Sequence, residues 1–147
     1  MSNAQTLFMR EAIVLAGQAA REGDVPVGCV IVRDNTIIGK GYNTREHDQS
    51  AIAHAEINAI TMACRTLNSW RLDSCTLYVT LEPCLMCAGA IVNAQIPHIV
   101  YGARDPRGGA NRGVSWLFDA AQKISVTPDV LGEECSALLK DFFDSLR

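Results

Sequence analysis

The sequence lacks any long apolar run free of charged residues, so no segment is suited to span a lipid bilayer. Its beginning lacks the basic stretch and following apolar stretch of a secretory signal peptide. We also find no internal repeat, low-complexity tract or linker. We therefore expect a protein of the cytoplasm, folded as a single domain over residues 1–147, because this length suffices to bury a substantial core.

Closely spaced cysteines are scarce, although the chain has six cysteines in all. A disulfide framework is typical of short secreted chains, so we interpret all six as thiols. Only Cys84 and Cys87 form a spaced pair. The other four lie among apolar neighbours, where a cysteine usually acts as a small buried hydrophobe; they are Cys29, Cys64, Cys75 and Cys135.

The chain has no excess of positive charge. Its net charge of -3 argues mildly against a nucleic-acid partner, because phosphate binding usually requires a basic surface. The distribution matters more than the sum, since residues 101–113 carry three arginines against Asp105 alone. A basic loop is one interpretation of this stretch and an ordinary solvated loop is the other. The arginines are Arg104, Arg107 and Arg112.

Hydrophobic periodicity predicts helices that alternate with strands. The predicted order is a helix over about 5–21, strands over 27–32 and 36–42, a polar loop over 43–50, a helix from about 54, a strand over 76–80, a helix over 84–94, strands over 98–102 and 124–130, and a helix over about 133–146. A strand, helix and strand in this order imply a parallel pair with a right-handed crossover. The predicted fold class is α/β, a mixed five-stranded sheet in a three-layer α/β/α sandwich.

Three helices have predicted buried faces. The helix over 84–94 is apolar nearly all round, so it needs cover besides the sheet, and a partner subunit is one candidate. The other two carry apolar stripes at helical spacing: Ile57, Ile60, Cys64 and Leu67 in one, and Cys135, Leu138, Phe142 and Leu146 in the other.

Two short motifs predict a metal site. They are His54-Ala55-Glu56 and Pro83-Cys84-Leu85-Met86-Cys87, and both lie where a helix begins. A Cys-x-x-Cys pair at a helix start can place both sulfurs on one metal, and the free N–H groups there stabilise thiolates. His54 can supply a third ligand, since zinc accepts thiolate and imidazole.

The number of ligands favours a catalytic metal. Structural zinc has four protein ligands, but the chain has a single cysteine pair, and we interpret His47 and His98 as surface or hydrogen-bonded histidines. Three ligands leave a fourth position for water, which zinc makes acidic near neutral pH. Glu56 can then move protons between water and substrate, although an acidic residue is also favourable in any first helical turn. A thioredoxin-like dithiol is a rival interpretation of the cysteine pair that leaves the His54 motif unexplained.

The sequence resembles the bacterial tRNA adenosine deaminases over nearly its whole length. The combination of His-x-Glu with Pro-Cys-x-x-Cys is the signature of zinc deaminases. Further matching stretches are Val25-Pro26-Val27-Gly28, Leu77-Tyr78-Val79-Thr80-Leu81-Glu82, Gly102-Ala103-Arg104-Asp105 and Glu133-Glu134-Cys135 with Asp141-Phe142-Phe143.

This resemblance implies a cytidine deaminase-like fold, a homodimer with one zinc ion per subunit, and conversion of the wobble adenosine of a tRNA anticodon to inosine. It further implies that Asn43 contacts the base and that Asp105 lies near the ribose and the anticodon backbone. From the residues alone, two structural roles are the alternatives: Asn43 as a strand-ending turn residue, and Asp105 as a partner of Arg104 or Arg107.

The resemblance leaves two alternatives open. One is a free-base or nucleoside deaminase, of guanine or cytosine type, on the same fold, and the other is a non-catalytic zinc or RNA-binding module. The sequence also departs from the family, because the usual basic extension after the last helix is missing and residues 108–116 differ from the usual run of small residues. Both departures affect the surface expected to contact tRNA rather than the zinc motifs.

Overall fold

The structure is a computed structural model that describes residues 2–105 and 124–146. In these ranges, helices and strands alternate as the periodicity predicts. The elements are α1 (Asn3–Arg21), β1 (Gly28–Arg33), β2 (Thr36–Tyr42), α2 (Arg45–Asp48), α3 (Ala55–Leu67), β3 (Thr76–Leu81), α4 (Leu85–Asn93), β4 (His98–Ala103), β5 (Ser125–Thr127) and α5 (Gly132–Ser145). None of these helices combines the length and the hydrophobicity needed to cross a membrane.

The five strands form one mixed sheet in the order β2-β1-β3-β4-β5. β1 is antiparallel to both β2 and β3, whereas β3, β4 and β5 are parallel. Asp34 and Asn35 join β1 to β2 with φ angles of 50° and 59°, the left-handed conformation that tight hairpin turns require. The mixed sheet and the parallel crossover through α4 confirm the predicted fold class.

Two apolar clusters hold the helices against opposite faces of the sheet. One cluster joins α3 and α4 to side chains such as Ile31, Leu77 and Ile99. The other joins α1 and α5 to side chains such as Val30 and Val100. Successive residues of one strand thus pack against helices on opposite faces of the sheet, because side chains alternate along a strand. The result is a three-layer α/β/α sandwich.

Small residues allow α3 to lie unusually close to β2. Gly39 and Gly41 face Ala55, Ala59 and Ala63, and a side chain at either glycine would overlap the backbone of α3. The three alanines are fully buried. This close approach fixes the start of α3 against the end of β2.

The structure contradicts two details of the sequence prediction and refines a third. The predicted loop over 43–50 contains the short helix α2. In α3 the predicted stripe does face the core, since Ile60, Cys64 and Leu67 pack against it, but these residues are half-buried and the fully buried positions are alanines. In α5, Cys135 is buried as predicted, but Leu138 and Phe142 are half-buried and Leu146 is 68% exposed, because Leu139 is the residue that packs against both clusters.

We predict that Gly41→Ala destabilises the protein by roughly 1–3 kcal/mol, because the added methyl group must push α3 away from β2. Urea unfolding followed by circular dichroism measures this change. Gly17→Ala is the matched control. It lies within α1 and meets only the flexible end of Arg21, so better helix propensity should leave stability equal or higher. Equal stability of Gly41→Ala and the unmodified protein would contradict the close approach.

Candidate active site

Three candidate metal ligands lie at the beginnings of two helices. His54 and Cys84 are the N-cap residues of α3 and α4, both with extended backbone, and Cys87 lies in the first turn of α4. Neither cap side chain bonds its own helix, so both are available to a ligand. β3 leads directly into α4, and the end of β2 holds the start of α3. The fold therefore brings together residues that are far apart in sequence.

The distances between these side chains suit a single metal ion. Nδ1 of His54 lies 3.7 Å from Sγ of Cys84 and 3.5 Å from Sγ of Cys87, and all three ligand atoms lie within 4.8 Å of one another. Given the usual zinc–sulfur and zinc–nitrogen bond lengths, ligand atoms around tetrahedral zinc are roughly 3.5–3.8 Å apart. The three residues therefore fit a metal ion. No other histidine, cysteine or acidic residue in the described ranges belongs to this cluster.

The thiols and the imidazole interact strongly. The hydrogen bond donated by Cys87 and a further one from His54 lower the pKa of Cys84 to about 4, although burial opposes the shift. The same contact with Cys84, followed by burial, raises the pKa of Cys87. Hydrogen bonding to Cys84 also raises the pKa of His54. Cys84 is thus a thiolate at neutral pH, the form that binds metals.

Glu56 lies beside the cluster in the first turn of α3. Its side chain is 4% exposed, and burial raises its pKa to about 7. Residues i and i+2 do not share a face within a regular helix. Because His54 is the non-helical cap rather than a helical residue, both side chains nevertheless line the same cavity.

A cavity of about 500 Å³ opens in front of the cluster. Its described walls are formed by the loop after α1, the loop after β2, the carboxyl ends of β3 and β4, and α5. The residues that line it are Asp24, Val25, Val27, Asn43, Arg45, His54, Glu56, Leu81, Glu82, Cys84, Arg104, Asp105, Ser136, Leu139, Lys140 and Phe143. The size lies in the range of small-molecule sites, about 300–1,000 Å³.

Asn43 lies in the cavity wall and also holds two segments together. Its Oδ1 accepts a hydrogen bond of 2.9 Å from the backbone N–H of Ala55, and its Nδ2 donates one of 3.1 Å to the carbonyl of Val25. The first bond satisfies a free N–H at the start of α3. The amide group is therefore fixed in orientation, with the remaining hydrogen-bonding capacity of its two polar atoms left for a ligand.

Asp105 also lies in the wall, 8% exposed, directly after β4. Its backbone N–H donates a hydrogen bond of 2.8 Å to Oε1 of Glu82. Arg104 forms its ion pair with Asp129, at 3.1 Å, which is a partner the sequence did not suggest. Of the predicted basic loop, Arg107 and Arg112 lie outside the described residues, as does the stretch 108–116.

The sequence analysis missed several residues of the cavity wall. Glu82 was quoted only as part of a motif, although its place between a strand and the Pro-Cys pair was a usable signal. Asp24 is 4% exposed and accepts hydrogen bonds of 3.2 and 3.3 Å from the N–H of Glu46, at the start of the unpredicted α2. The sequence gave no indication that α5 lines the cavity, because this depends on how the helix packs in the tertiary structure.

The remaining histidines and cysteines fit the predicted structural roles. His47 is exposed and bonded to Asp48 at 2.9 Å, and His98 is exposed at the start of β4. All six cysteines are free thiols, as predicted. Three of the four isolated ones are buried and Cys64 is half-buried.

A model of the MafB19-like deaminase family matches residues 2–147, so the chain belongs to that family of deaminases. Within it, the sequence is similar to tRNA-specific adenosine deaminases. The enzyme of that name from Bacillus subtilis is 45% identical over 144 residues, which cover 96% of this chain and 89% of the relative.

Many solved structures share the fold, and two of them represent different activities. One comes from a study of A-to-I editing by tRNA:A34 deaminases at the wobble position of transfer RNA; it is 39% identical, with a TM-score of 0.85 over 91% of this chain and 99% of that one. The other is a guanine deaminase from Nitrosomonas europaea, 24% identical, with a TM-score of 0.83 over 93% of this chain and 83% of that one. The first likeness confirms the predicted cytidine deaminase-like fold, and the second likeness concerns the fold alone.

We predict that Cys84→Ala binds far less metal than the unmodified protein and unfolds at a lower temperature, because one of three protein ligands is lost. Elemental analysis of protein purified from zinc-supplemented cultures gives the metal content. Cys64→Ala is the control, since this thiol lies on α3 near the carbonyl of Trp70, away from the cluster. Full metal content in Cys84→Ala would rule out the ligand assignment.

Proposed function

We propose that this protein is a zinc-dependent deaminase that converts adenosine to inosine at the wobble position of a tRNA anticodon. The observation that carries the proposal is the cluster of His54, Cys84 and Cys87 beside the buried Glu56, at the base of a cavity. The similarity to tRNA-specific adenosine deaminases over 96% of the chain supports the substrate. The proposal covers residues 1–147 as one deaminase domain.

Zinc is the metal that suits this ligand set best. Two sulfurs and one imidazole nitrogen are typical zinc ligands, and a site with three protein ligands is typical of catalytic zinc. When bound in such a site, zinc makes water acidic enough to act as a nucleophile near neutral pH.

Glu56 is placed to move the protons of the reaction. Hydrolysis adds water at C6 of adenine and releases ammonia, so protons must pass from water to the ring nitrogen N1 and to the departing 6-amino group. Glu56 lines the cavity within the first turn of the helix that begins at His54. Its burial keeps bulk water from competing for these transfers.

Asn43 and Asp105 are the proposed contacts to the substrate. The amide of Asn43 is held by Val25 and Ala55 in a fixed orientation, which suits it to recognise an edge of the base. Asp105 lines the same cavity after β4, and the resemblance implies that it lies near the ribose and the anticodon backbone.

The mouth of the cavity offers groups suited to a single-stranded RNA loop. Phe143 is 47% exposed and can stack on an unpaired base, and Lys140 lies one helical turn away on α5. Arg45 contributes a second positive charge from α2. Lys140 forms an ion pair of 2.8 Å with Asp144, and four acidic residues also line the cavity, so the wall is mixed in charge rather than a basic surface. We also propose that the enzyme acts in the cytoplasm, where an anticodon loop is available to it.

The runner-up function is deamination of a free base such as guanine. The guanine deaminase from Nitrosomonas europaea shares the fold at 24% identity, a likeness too distant to transfer a substrate. The three candidate metal ligands do not distinguish between the two functions, because both reactions use the same hydrolytic chemistry. A direct comparison of substrates does.

We predict that the purified protein produces inosine from an anticodon stem-loop with adenosine at the wobble position, and releases no ammonia from free guanine, cytosine, cytidine or adenosine. Glu56→Gln should lose about 10²–10⁴-fold in rate while keeping its metal, because the amide cannot carry protons. Nucleoside analysis of the digested stem-loop by mass spectrometry measures inosine, and elemental analysis measures zinc.

Glu133→Gln is the control for this variant, since it removes the same charge from an exposed position outside the cavity wall. Turnover of a free base without inosine in the stem-loop would replace the tRNA assignment by the runner-up. Unchanged inosine formation by Glu56→Gln would refute a role for this carboxyl group, whereas no turnover of any substrate by either protein would favour a non-catalytic module.

The proposed enzyme is a homodimer that uses an apolar surface around α4. Ile52 and Leu85 are 58% and 68% exposed there, and they surround a shallow concavity with Ile57, Met86 and Val92. Clustered apolar side chains of this size are typical of subunit contacts. Because Leu85 follows Cys84 directly, the contact would lie next to the metal site.

We predict that Leu85→Glu shifts the protein from dimer to monomer, because the charged group would be buried in the contact. Light scattering coupled to size-exclusion chromatography measures the mass. An acidic residue is favourable at a helix start, so α4 itself should be undisturbed. Val14→Glu, at a position on α1 that is 64% exposed, is the control. A dimeric Leu85→Glu would exclude this surface as the interface.

A further inference from the structure

Glu82 is the most deeply buried acidic residue described in the cavity wall. It is 2% exposed and lies between the end of β3 and Pro83. Its backbone N–H donates a hydrogen bond of 2.8 Å to the carbonyl of Ala103, which extends the pairing of β3 and β4 by one step. The residue is therefore fixed in position by the sheet.

The two carboxylate oxygens of Glu82 have different surroundings. Oε1 accepts the hydrogen bond of 2.8 Å from the N–H of Asp105. Oε2 is buried and has no hydrogen-bond partner among the described residues. Native proteins rarely leave a buried polar atom unsatisfied, and such an atom in a cavity wall indicates a partner supplied by what binds there.

We propose that Oε2 of Glu82 accepts a hydrogen bond from the 2′-hydroxyl group of the target adenosine. This inference rests on the proposed function, since it concerns the nucleoside that enters the cavity. A carboxylate accepts hydrogen bonds and does not donate them, so its partner must be a donor, and phosphate oxygens are excluded.

An adenosine within an RNA strand has two hydrogen-bond donor groups, the 6-amino group of the base and the 2′-hydroxyl group of the ribose. The 6-amino group must lie at the metal cluster and Glu56, where it is released. The 3′ and 5′ oxygens are esterified and carry no proton. The 2′-hydroxyl is the donor left for Glu82, and it is also the group that distinguishes RNA from DNA.

Glu82 would then serve two parts of the site with one carboxylate. Oε1 holds the backbone of Asp105, and Oε2 recognises the sugar of the nucleotide beside it. A sheet-anchored side chain would therefore set the position of the wall and select ribose at the same time.

The test compares two stem-loops that carry either a 2′-hydroxyl or a 2′-fluoro group at the target adenosine alone. Fluorine keeps the sugar conformation close to that of ribose but cannot donate a hydrogen bond. For the unmodified protein we expect kcat/KM to fall by roughly tenfold or more with 2′-fluoro, as for loss of a hydrogen bond to a charged group.

The same comparison is made with Glu82→Gln, whose Oε1 can still accept from Asp105 while an NH₂ group replaces Oε2. The ratio of kcat/KM between the two substrates should become roughly 5- to 10-fold smaller, because a neutral amide bonds a hydroxyl group less strongly than a carboxylate does. Glu11→Gln, an exposed change on α1 outside the cavity wall, should leave the ratio unchanged.

An equal loss of activity on both substrates in Glu82→Gln would overturn the proposal and assign Oε2 to a water molecule. A ratio near one in the unmodified protein would overturn it as well, even if the variant fails to fold. The ratio would also be near one if Oε2 of Glu82 bonded a donor on a neighbouring base, because the two substrates differ only in the sugar of the target adenosine. No inosine from the unmodified protein and the 2′-hydroxyl stem-loop would refute the proposed function, and this inference with it.

Discussion

The beginnings of two helices meet at one point on the carboxyl edge of the sheet, and the site depends on this meeting. The start of α3 carries His54, and the start of α4 carries Cys84 and Cys87. Each helix start has a partial positive charge, so bringing the two together is unfavourable unless negative groups lie between them. The thiolate of Cys84 provides this charge, and hydrogen bonds from Cys87 and His54 lower the pKa of Cys84 to about 4. The same electrostatics that permit the fold also prepare the ligands for a metal.

The sequence predicted the order of elements well, because periodicity and turn residues are local signals. The left-handed Asp34 and Asn35 fixed one hairpin, and Pro83 with Cys84 fixed the boundary between β3 and α4. The buried face of α3 was harder, since large apolar residues there are only half-buried. Alanines occupy the contact because Gly39 and Gly41 let α3 approach β2 so closely that larger side chains would not fit between them. This pairing of small residues becomes apparent only once the sheet is assembled.

The grouping of the three candidate ligands was predictable from the sequence, because the two motifs lie next to helix starts. The rest of the cavity was not. Glu82 and Asp105 meet because β3 and β4 are parallel and end at the same edge of the sheet. The carboxylate of Asp24 is held by the N–H of Glu46 in α2, a short helix that the sequence did not indicate. Asn43 shows a further limit, since its side chain both supports the start of α3 and faces the cavity. The structural and the substrate interpretations of this residue, which the sequence set against each other, are compatible in the structure.

The order of these parts along the chain has a consequence for synthesis on the ribosome. The three candidate ligands lie between positions 54 and 87, whereas Lys140 and Phe143 of the cavity wall belong to α5. On the ribosome, the three candidate ligands are therefore made well before the part of the cavity wall that α5 contributes. The group that fits a metal and the finished cavity are thus separated in the order of synthesis.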